Sequence, residues 1–376
     1  TRLEGLLSDL AVAHVRADDA AGAVSVLEAD RVWLPAPKGA AHLPDDVATA
    51  WVVTGRDGTA VVSKVAGRVS SRLLEEIDRD VLWPIVRRAL AALAVGEEEA
   101  DPEDTESLRL LLDVNDHIAA LLPTVDRLRV VPVGGCALLP LWAGQDGDGR
   151  RLVDRCVVTV SPSAAWSAAA SRPRPSGVSV GVFDSGGASL DLEPDMRTFV
   201  RWCDPATPLL EPTAEAVLGE CSSETPVLHL SCHGHYDALR PLDSALELQS
   251  PLRVRDLLGW DGAPWLVNLS ACETAVPNLL CSDQVISFPT AFLRAGSAHV
   301  VATLWPIRND VATRANEEVL AALAEGQDPD EAVARAVREV RRHLVVDIGD
   351  PPDSPWTICD WAGLAHFGAA GPRGRR

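Results

Sequence analysis

"PVLHLSCHGHYD", residues 226–237, starts as an uninterrupted apolar run and breaks off in a cluster of imidazole, thiol and carboxylate groups. A continuous rather than alternating run is what a strand covered on both faces requires. "WLVNLSACETA", residues 265–275, repeats the pattern and ends in Ser270, Ala271, Cys272, Glu273 and Thr274. Four further segments are strand-like: "RLRVVPV" (127–133), "RLVDRCVVTV" (151–160), "GVSVGVFD" (177–184) and "SAHVVATLWP" (297–306). Helix-like stretches at 193–202, 253–258, 287–295, 309–324 and 329–344 intervene. This succession predicts an α/β fold with a mostly parallel sheet flanked by helices. In such sheets chemistry gathers at the carboxyl ends of the strands, where His233 and Cys272 fall.

Upstream, "DDVATAWVVTGRDGTAVVSKVAG" (45–67) places two β-branched runs around Gly55-Arg56-Asp57-Gly58, a hairpin signal. "SSRLLEEIDRDVLWPIVRRALAAL" (70–93) reads as one long helix, and "GEEEADPEDTES" (96–107), with seven carboxylates in twelve positions, as a solvated loop between helices. Residues 1–31 read as a helical hairpin broken at Ala17–Asp19, either packed on the main domain or the last repeat of a helical array. The chain opens on this helix with neither an initiator Met nor a signal pattern, and is expected to be the C-terminal portion of something longer.

At 376 residues the chain can bury a substantial core, and 47% apolar with 23% charged residues is ordinary for a globular protein. A net charge of −20 repels phosphate backbones and anionic lipid, so neither nucleic acid nor membrane is an expected partner. No apolar run is long enough to span a bilayer. Eight scattered cysteines, with no Cys-x-x-Cys pair, point to a reduced, cytoplasmic protein whose thiols are mostly small core residues.

Two chemistries compete for the histidines. His233, His235 and Asp237 match the His-x-His-x-Asp that follows a strand in metallo-β-lactamase-like hydrolases, but Ala238 stands where a further His is needed. A zinc site requires three or four converging ligands, and His299 and His343 lie in the wrong contexts to supply them. A nucleophile mechanism needs only a thiol beside an imidazole, each on its own strand tip. One strand-helix crossover separates the two runs, so the tips can meet at one sheet edge.

The combined wording goes further. "LHLSCHGHYD", "SALEL", "LRVRDLL", "WLVNLSACETA", "FPTAFLRAGSAHVVATLWPIRNDVAT" and "WAGLAHFG", with "RLRVVPVGGCALLPLWA" and "VTVSPSAAW", resemble the CHAT domain. That module is a caspase-like cysteine peptidase often carried behind tetratricopeptide repeats, and the likeness runs over about residues 45–370. It implies a caspase–hemoglobinase fold, with a pseudo-caspase-like half at 45–175, a catalytic half at 176–370, and residues 1–34 as a remnant of a repeat array. It implies His233 as base and Cys272 as nucleophile, with the backbone N–H groups of Gly234 and Cys272 holding the oxyanion. His229 is assigned to the core and His235 to the cleft or surface.

The resemblance also implies a peptide or protein substrate added as a strand beside residues 303–308. "LWPIRND" is similar to the "LWDVTD" stretch of separase, which makes Asp310 the first candidate acid for a basic P1 side chain and Asp283 the second. Asp310 could equally cap the helix that starts there. Trp305 is a candidate cleft wall or a buried structural residue. No metal or cofactor is expected. A protein partner acting through the N-terminal helices, in bacterial defence or programmed death, is the implied regulation. A silent caspase-like scaffold and a metallohydrolase using His233, His235 and Asp237 are the alternatives.

Overall fold

The computed structural model describes residues 5–29, 47–146, 148–164, 172–186, 191–237, 240–271 and 286–370. In chain order the strands are β1 (Ala48–Gly55), β2 (Gly58–Val65), β3 (Arg68–Leu74), β4 (Arg127–Val133), β5 (Val157–Val160), β6 (Ser179–Phe183) and β7 (Ala206–Leu210). There follow β8 (Val227–Ser231), β9 (His233–His235), β10 (Ala245–Glu247), β11 (Leu252–Arg253), β12 (Leu266–Ser270), β13 (His299–Thr303) and β14 (Leu364–Gly368). The helices of the first half are α1 (Leu6–Arg16), α2 (Ala20–Ala29), α3 (Arg79–Val95), α4 (Pro102–Ala119) and α5 (Leu152–Arg155). Those of the second are α6 (Glu193–Trp202), α7 (Ala214–Glu220), α8 (Phe288–Ala295), α9 (Asn309–Ala324), α10 (Pro329–Arg342) and α11 (Pro355–Ala362).

Among the described residues one large sheet runs in the order β3-β2-β1-β4-β5-β14-β13-β12-β8-β6-β7. It consists of two mainly parallel halves. β1, β4 and β5 are parallel to one another, with the β2–β3 hairpin added at the edge. β7, β6, β8, β12 and β13 form the second parallel set. β14 joins them, parallel to β5 and antiparallel to β13.

Both faces of the first half are covered, which is why its strands are apolar at successive positions. Ala50 and Val52 of β1 and Leu128 and Val130 of β4 pack in the same core as Leu82, Val86, Leu108 and Leu111 of α3 and α4. Trp51, Val53, Val131 and Val133 alternate with them and meet Ala11, Val12, Val15 and Leu27 of the N-terminal hairpin. Trp51 Nε1 also donates to Glu28 Oε1 at 2.7 Å, and Arg79 pairs with Asp9 at 2.8 Å. The helix pair therefore lies on the sheet.

Several sequence expectations shift. Ser70–Leu74 belong to β3, not to a helix, because pairing with β2 (Ser63↔Ser70, Thr59↔Leu74) outweighs the helical propensity of "RLLEE". Residues 152–155 form one helical turn before β5. The acidic stretch at 96–107 is only half loop: Asp101 caps α4 by accepting from the backbone of Glu103 and Asp104, and Asp104 Oδ2 accepts from Asp101 N at 3.1 Å. Pro102 occupies the first turn, where a missing N–H costs nothing.

C-terminal elements tie the halves together. α10 buries Ala332, Val333, Ala336, Val337 and Val340 along one stripe and packs on β5 and β14. Asp330 in its first turn is buried and takes Arg127 Nη1, at the start of β4, at 2.6 Å. Trp356 of α11 donates to Thr105 of α4 at 3.2 Å.

Candidate active site

β8 and β12 lie side by side, parallel and in register, from Val227↔Leu266 to Ser231↔Ser270. Val227, Leu228 and Leu230 are fully buried, each contributing about 1.5–3 kcal/mol through removal from water. Both strands end at the same level of the sheet. Beyond β8 the chain enters β9, which pairs with β10, itself paired with β11, in a small antiparallel sheet. His233 sits at this junction, half-buried, with its Nε2 buried and without a partner. Beyond β12 the last described residue is Ala271, and Thr303 Oγ1, at the end of β13, donates to its carbonyl at 3.3 Å. Cys272 is the next residue in sequence; it lies outside the described residues, as do Glu273, Thr274, Cys281 and Asp283.

A cleft of about 120 Å³ opens at these strand ends, closed on the other side by the first turns of α6 and α9. Asp195, Ser231, His233, Ser270, Ala271 and Thr313 face it. Its floor is a buried polar network that the sequence did not reveal. His229, fully buried on β8, donates from Nε2 to Asp195 Oδ2 at 2.9 Å and accepts at Nδ1 from Asn268 Nδ2 at 2.9 Å. Asn268 also donates to Asn316 Oδ1 at 3.0 Å, and Asn316 Nδ2 reaches Asp195 Oδ1 at 3.0 Å and Ser270 Oγ at 2.8 Å. Burial pushes the Asp195 carboxyl up, but charge from His229 and hydrogen bonds from His229, Ser231 and Asn316 outweigh it, leaving the group below the usual carboxylate range. Ser231 and Ser270, each two residues before a candidate catalytic residue, are thus anchored to one network. An Asp at the third position of α6 and an Asn inside the helical stretch of α9 were the only traces of it in the sequence.

The remaining candidates are placed as follows. His235 is exposed, and Gly234 pairs with Leu246 of β10. The Asp237 carboxylate accepts from Arg240 N at 2.8 Å. Among the described residues no three His, Cys, Asp or Glu side chains converge as a metal site would require. Asp310 lies in the first turn of α9, where Arg308 grips it through Nε at 3.1 Å and Nη2 at 2.7 Å. That hydrogen bonding lowers its pKa, outweighing burial, which pulls the other way. Arg308 also reaches Asp350 at 2.8 Å. Trp305 is fully buried and donates from Nε1 to the Cys359 carbonyl at 2.9 Å. Six cysteines among the described residues are buried and form no disulfide. Burial pushes the thiols of Cys136, Cys156, Cys203 and Cys221 up to about 12, so they stay protonated and inert at neutral pH.

A sheet of this topology, with imidazole at the end of one central strand and the neighbouring strand ending beside it, is that of the caspase-like α/β fold. The chain belongs to the CHAT domain family: residues 105–369, well over half its length, match that domain. Its structure is similar to separase of Saccharomyces cerevisiae solved in complex with securin, with a TM-score of 0.61 and 9% identity, covering 97% of this chain and 34% of that one. A second separase–securin structure gives the same score and identity over 93% and 31%. The Arg-specific cysteine proteinase gingipain R is similar at a TM-score of 0.49 and 10% identity, over 77% of this chain and 74% of that one. The chain thus spans about a third of the separase chains, and at these identities the likeness shows the fold alone. No curated protein sequence matches the chain. Among the described residues no helix is long and apolar enough to cross a membrane.

Proposed function

We propose that the chain is a cysteine endopeptidase working through His233 and Cys272. The observation that supports this is the common termination of β8 and β12, with His233 two residues past Ser231 and Cys272 two residues past its partner Ser270. His233 takes the Cys272 thiol proton, and the sulfur attacks the scissile carbonyl carbon. The oxyanion is held by the backbone N–H groups of Gly234 and Cys272; losing one such donor costs ~10²–10³ in rate. Collapse expels the amine, which takes its proton from the imidazolium, and water activated by the same imidazole hydrolyses the thioester.

On this reading the substrate adds as a strand beside residues 303–308. A basic P1 side chain would compete with Arg308 for Asp310, with Asp283 the second candidate acid, while Trp305 would support the cleft from within the core. The half carrying β1–β5 would act as a pseudo-caspase-like support, and the helix pair on its outer face would receive a regulating protein partner, as securin accompanies separase. A bacterial defence or cell-death role belongs to the same proposal.

The test is a thiol-reactive peptide aldehyde or acyloxymethyl ketone. It labels Cys272, and His233→Ala abolishes the labelling. Cys232, buried on the cleft wall, is the competing thiol; Cys232→Ser leaves labelling intact. Labelling indifferent to His233→Ala would refute the dyad.

A further inference from the structure

We infer that Glu247 is the positioning residue for His233: by a side-chain rotation its carboxylate takes the imidazole Nε2–H and so leaves Nδ1 free to accept the thiol proton. The inference rests on the peptidase reading for the identity of the thiol, but its geometry stands on described residues alone.

The β9–β10 ladder sets Glu247 directly opposite His233. Cross-strand partners stand on the same face of a sheet with β-carbons about 4.5–5.5 Å apart, well within reach of a Glu side chain. A second measure fixes where the two side chains meet. A β-carbon added at Gly186 would lie 3.4 Å from Glu247 Oε2 and 3.4 Å from His233 Cδ2, so both converge on the glycine. Cδ2 is the ring atom bonded to Nε2, the buried nitrogen that has no partner. A buried N–H without an acceptor costs about 1–3 kcal/mol. The Glu247 carboxylate, on an exposed residue and outside hydrogen-bond distance of Nε2 in the structure, is near enough to supply one by a side-chain rotation. Among the described residues no hydrogen bond or ion pair engages the Glu247 carboxylate.

Gly186 keeps the space open. It turns at φ +59°, with its N–H held by Asp184 Oδ1 at 2.9 Å, and any side chain there would strain the backbone and lie in contact with both acid and imidazole. Other titratable groups surround the ring. Asp195 is committed to His229 and Asn316, Asp191 lines the cleft, His235 is exposed, and Asp184 at the end of β6 keeps one buried oxygen without a partner. Asp184 is therefore the rival orienting group, and the experiment must separate the two. An acid on one ring nitrogen fixes the tautomer and orients the ring, as the third member of a hydrolase triad does without touching substrate.

The readout is the His233 tautomer in the full chain, from long-range ¹H–¹⁵N imidazole spectra assigned by loss of the signals in His233→Gln. The wild type shows a protonated Nε2 and a pyridine-like Nδ1. Glu247→Ala mixes the tautomers and slows Cys272 alkylation by about tenfold to a hundredfold, the usual cost of removing a group that orients a working imidazole. Glu247→Gln, which keeps an acceptor oxygen, restores the single tautomer. The proposal is overturned if Glu247→Ala keeps the wild-type spectrum, or if Asp184→Asn mixes the tautomers and Glu247→Ala does not. If wild-type Cys272 resists alkylation while Glu247→Ala still mixes the tautomers, the acid–imidazole contact stands and the peptidase reading falls.

Discussion

Acidification from pH 7 to 5 should weaken the protein at the seam between its two halves. His299 on β13 and His366 on β14 are buried there, with His299 Nδ1 3.1 Å from His366 Nε2 and His366 Nδ1 3.2 Å from Thr159 Oγ1 on β5. Burial first, then the neighbouring His366, pushes His299 down to about 3; burial, then Arg127, does the same to His366. An unfolded histidine titrates near 6.5, so between about pH 6.5 and 3 the unfolded chain binds more protons than the folded one. The stabilisation is complete above 6.5 and is lost as the pH falls. Integrated to pH 5, each histidine forfeits about 2 kcal/mol, or about 4 kcal/mol together.

Asp360 acts with the opposite sign. Burial, opposed by Arg308, pushes its carboxyl up to about 6, so the folded state binds the extra proton and gains about 1 kcal/mol at pH 5. The net loss is about 3 kcal/mol. Urea unfolding followed by tryptophan fluorescence at pH 7, 6 and 5 reads it as a falling midpoint. A His299→Gln/His366→Gln variant should show a flat or slightly rising midpoint over the same range, whatever its stability at pH 7. An equal fall in both proteins would refute the reasoning.

Asp195→Ala leaves His229 Nε2–H and an Asn316 amide proton unpaired in a buried site, so it should cost about 2–5 kcal/mol by urea unfolding. It should also slow Cys272 labelling, because Ser231 and Ser270 lose their common anchor. Asp330→Ala takes from the largely buried Arg127 one of its two carboxylate partners, Glu331 remaining, and should cost about 1–3 kcal/mol, whereas the pair replacement Arg127→Met/Asp330→Leu should cost less. Gly181→Ala should destabilise by about 1–3 kcal/mol, since its β-carbon would stand 2.5 Å from the Phe199 ring; a thermal midpoint unchanged from wild type would contradict the packing of α6 on β6. Asp101→Ala should cost about 1 kcal/mol through loss of the α4 cap, read by the same melt.

What the sequence revealed followed from how local each signal was. Residues 193–202 and 309–324 form helices over the expected ranges, because helical spacing and starting signals agreed there. β8 and β12 were legible because strands covered on both faces are apolar throughout. β7 was missed: "ATPLL" is short, contains Pro208 and lies at an exposed edge, where nothing demands an apolar run. β14, "LAHFG", was quoted as a motif but not read as a strand, since His366 interrupts it and only its partner His299 explains an imidazole there. At the site, His233 stood out by its position after an apolar run. Asp195, Asn268, Asn316 and Glu247 did not, because each acquires meaning only from a side chain 34 or more residues away, or, for Glu247, from a ladder register that no single strand announces.

β14 occupies the middle of the large sheet, yet among the described residues every other strand precedes it along the chain. While the polypeptide leaves the ribosome, the β1–β5 block and the β6–β13 block can each assemble, but their facing edges, β5 and β13, stay open to wrong partners until residues 364–368 emerge. The final union of the two half-sheets is therefore a late insertion between two waiting edges, and a ribosome stalled just short of that segment would hold them bridged by α10 and α11 but without the strand that makes them one sheet.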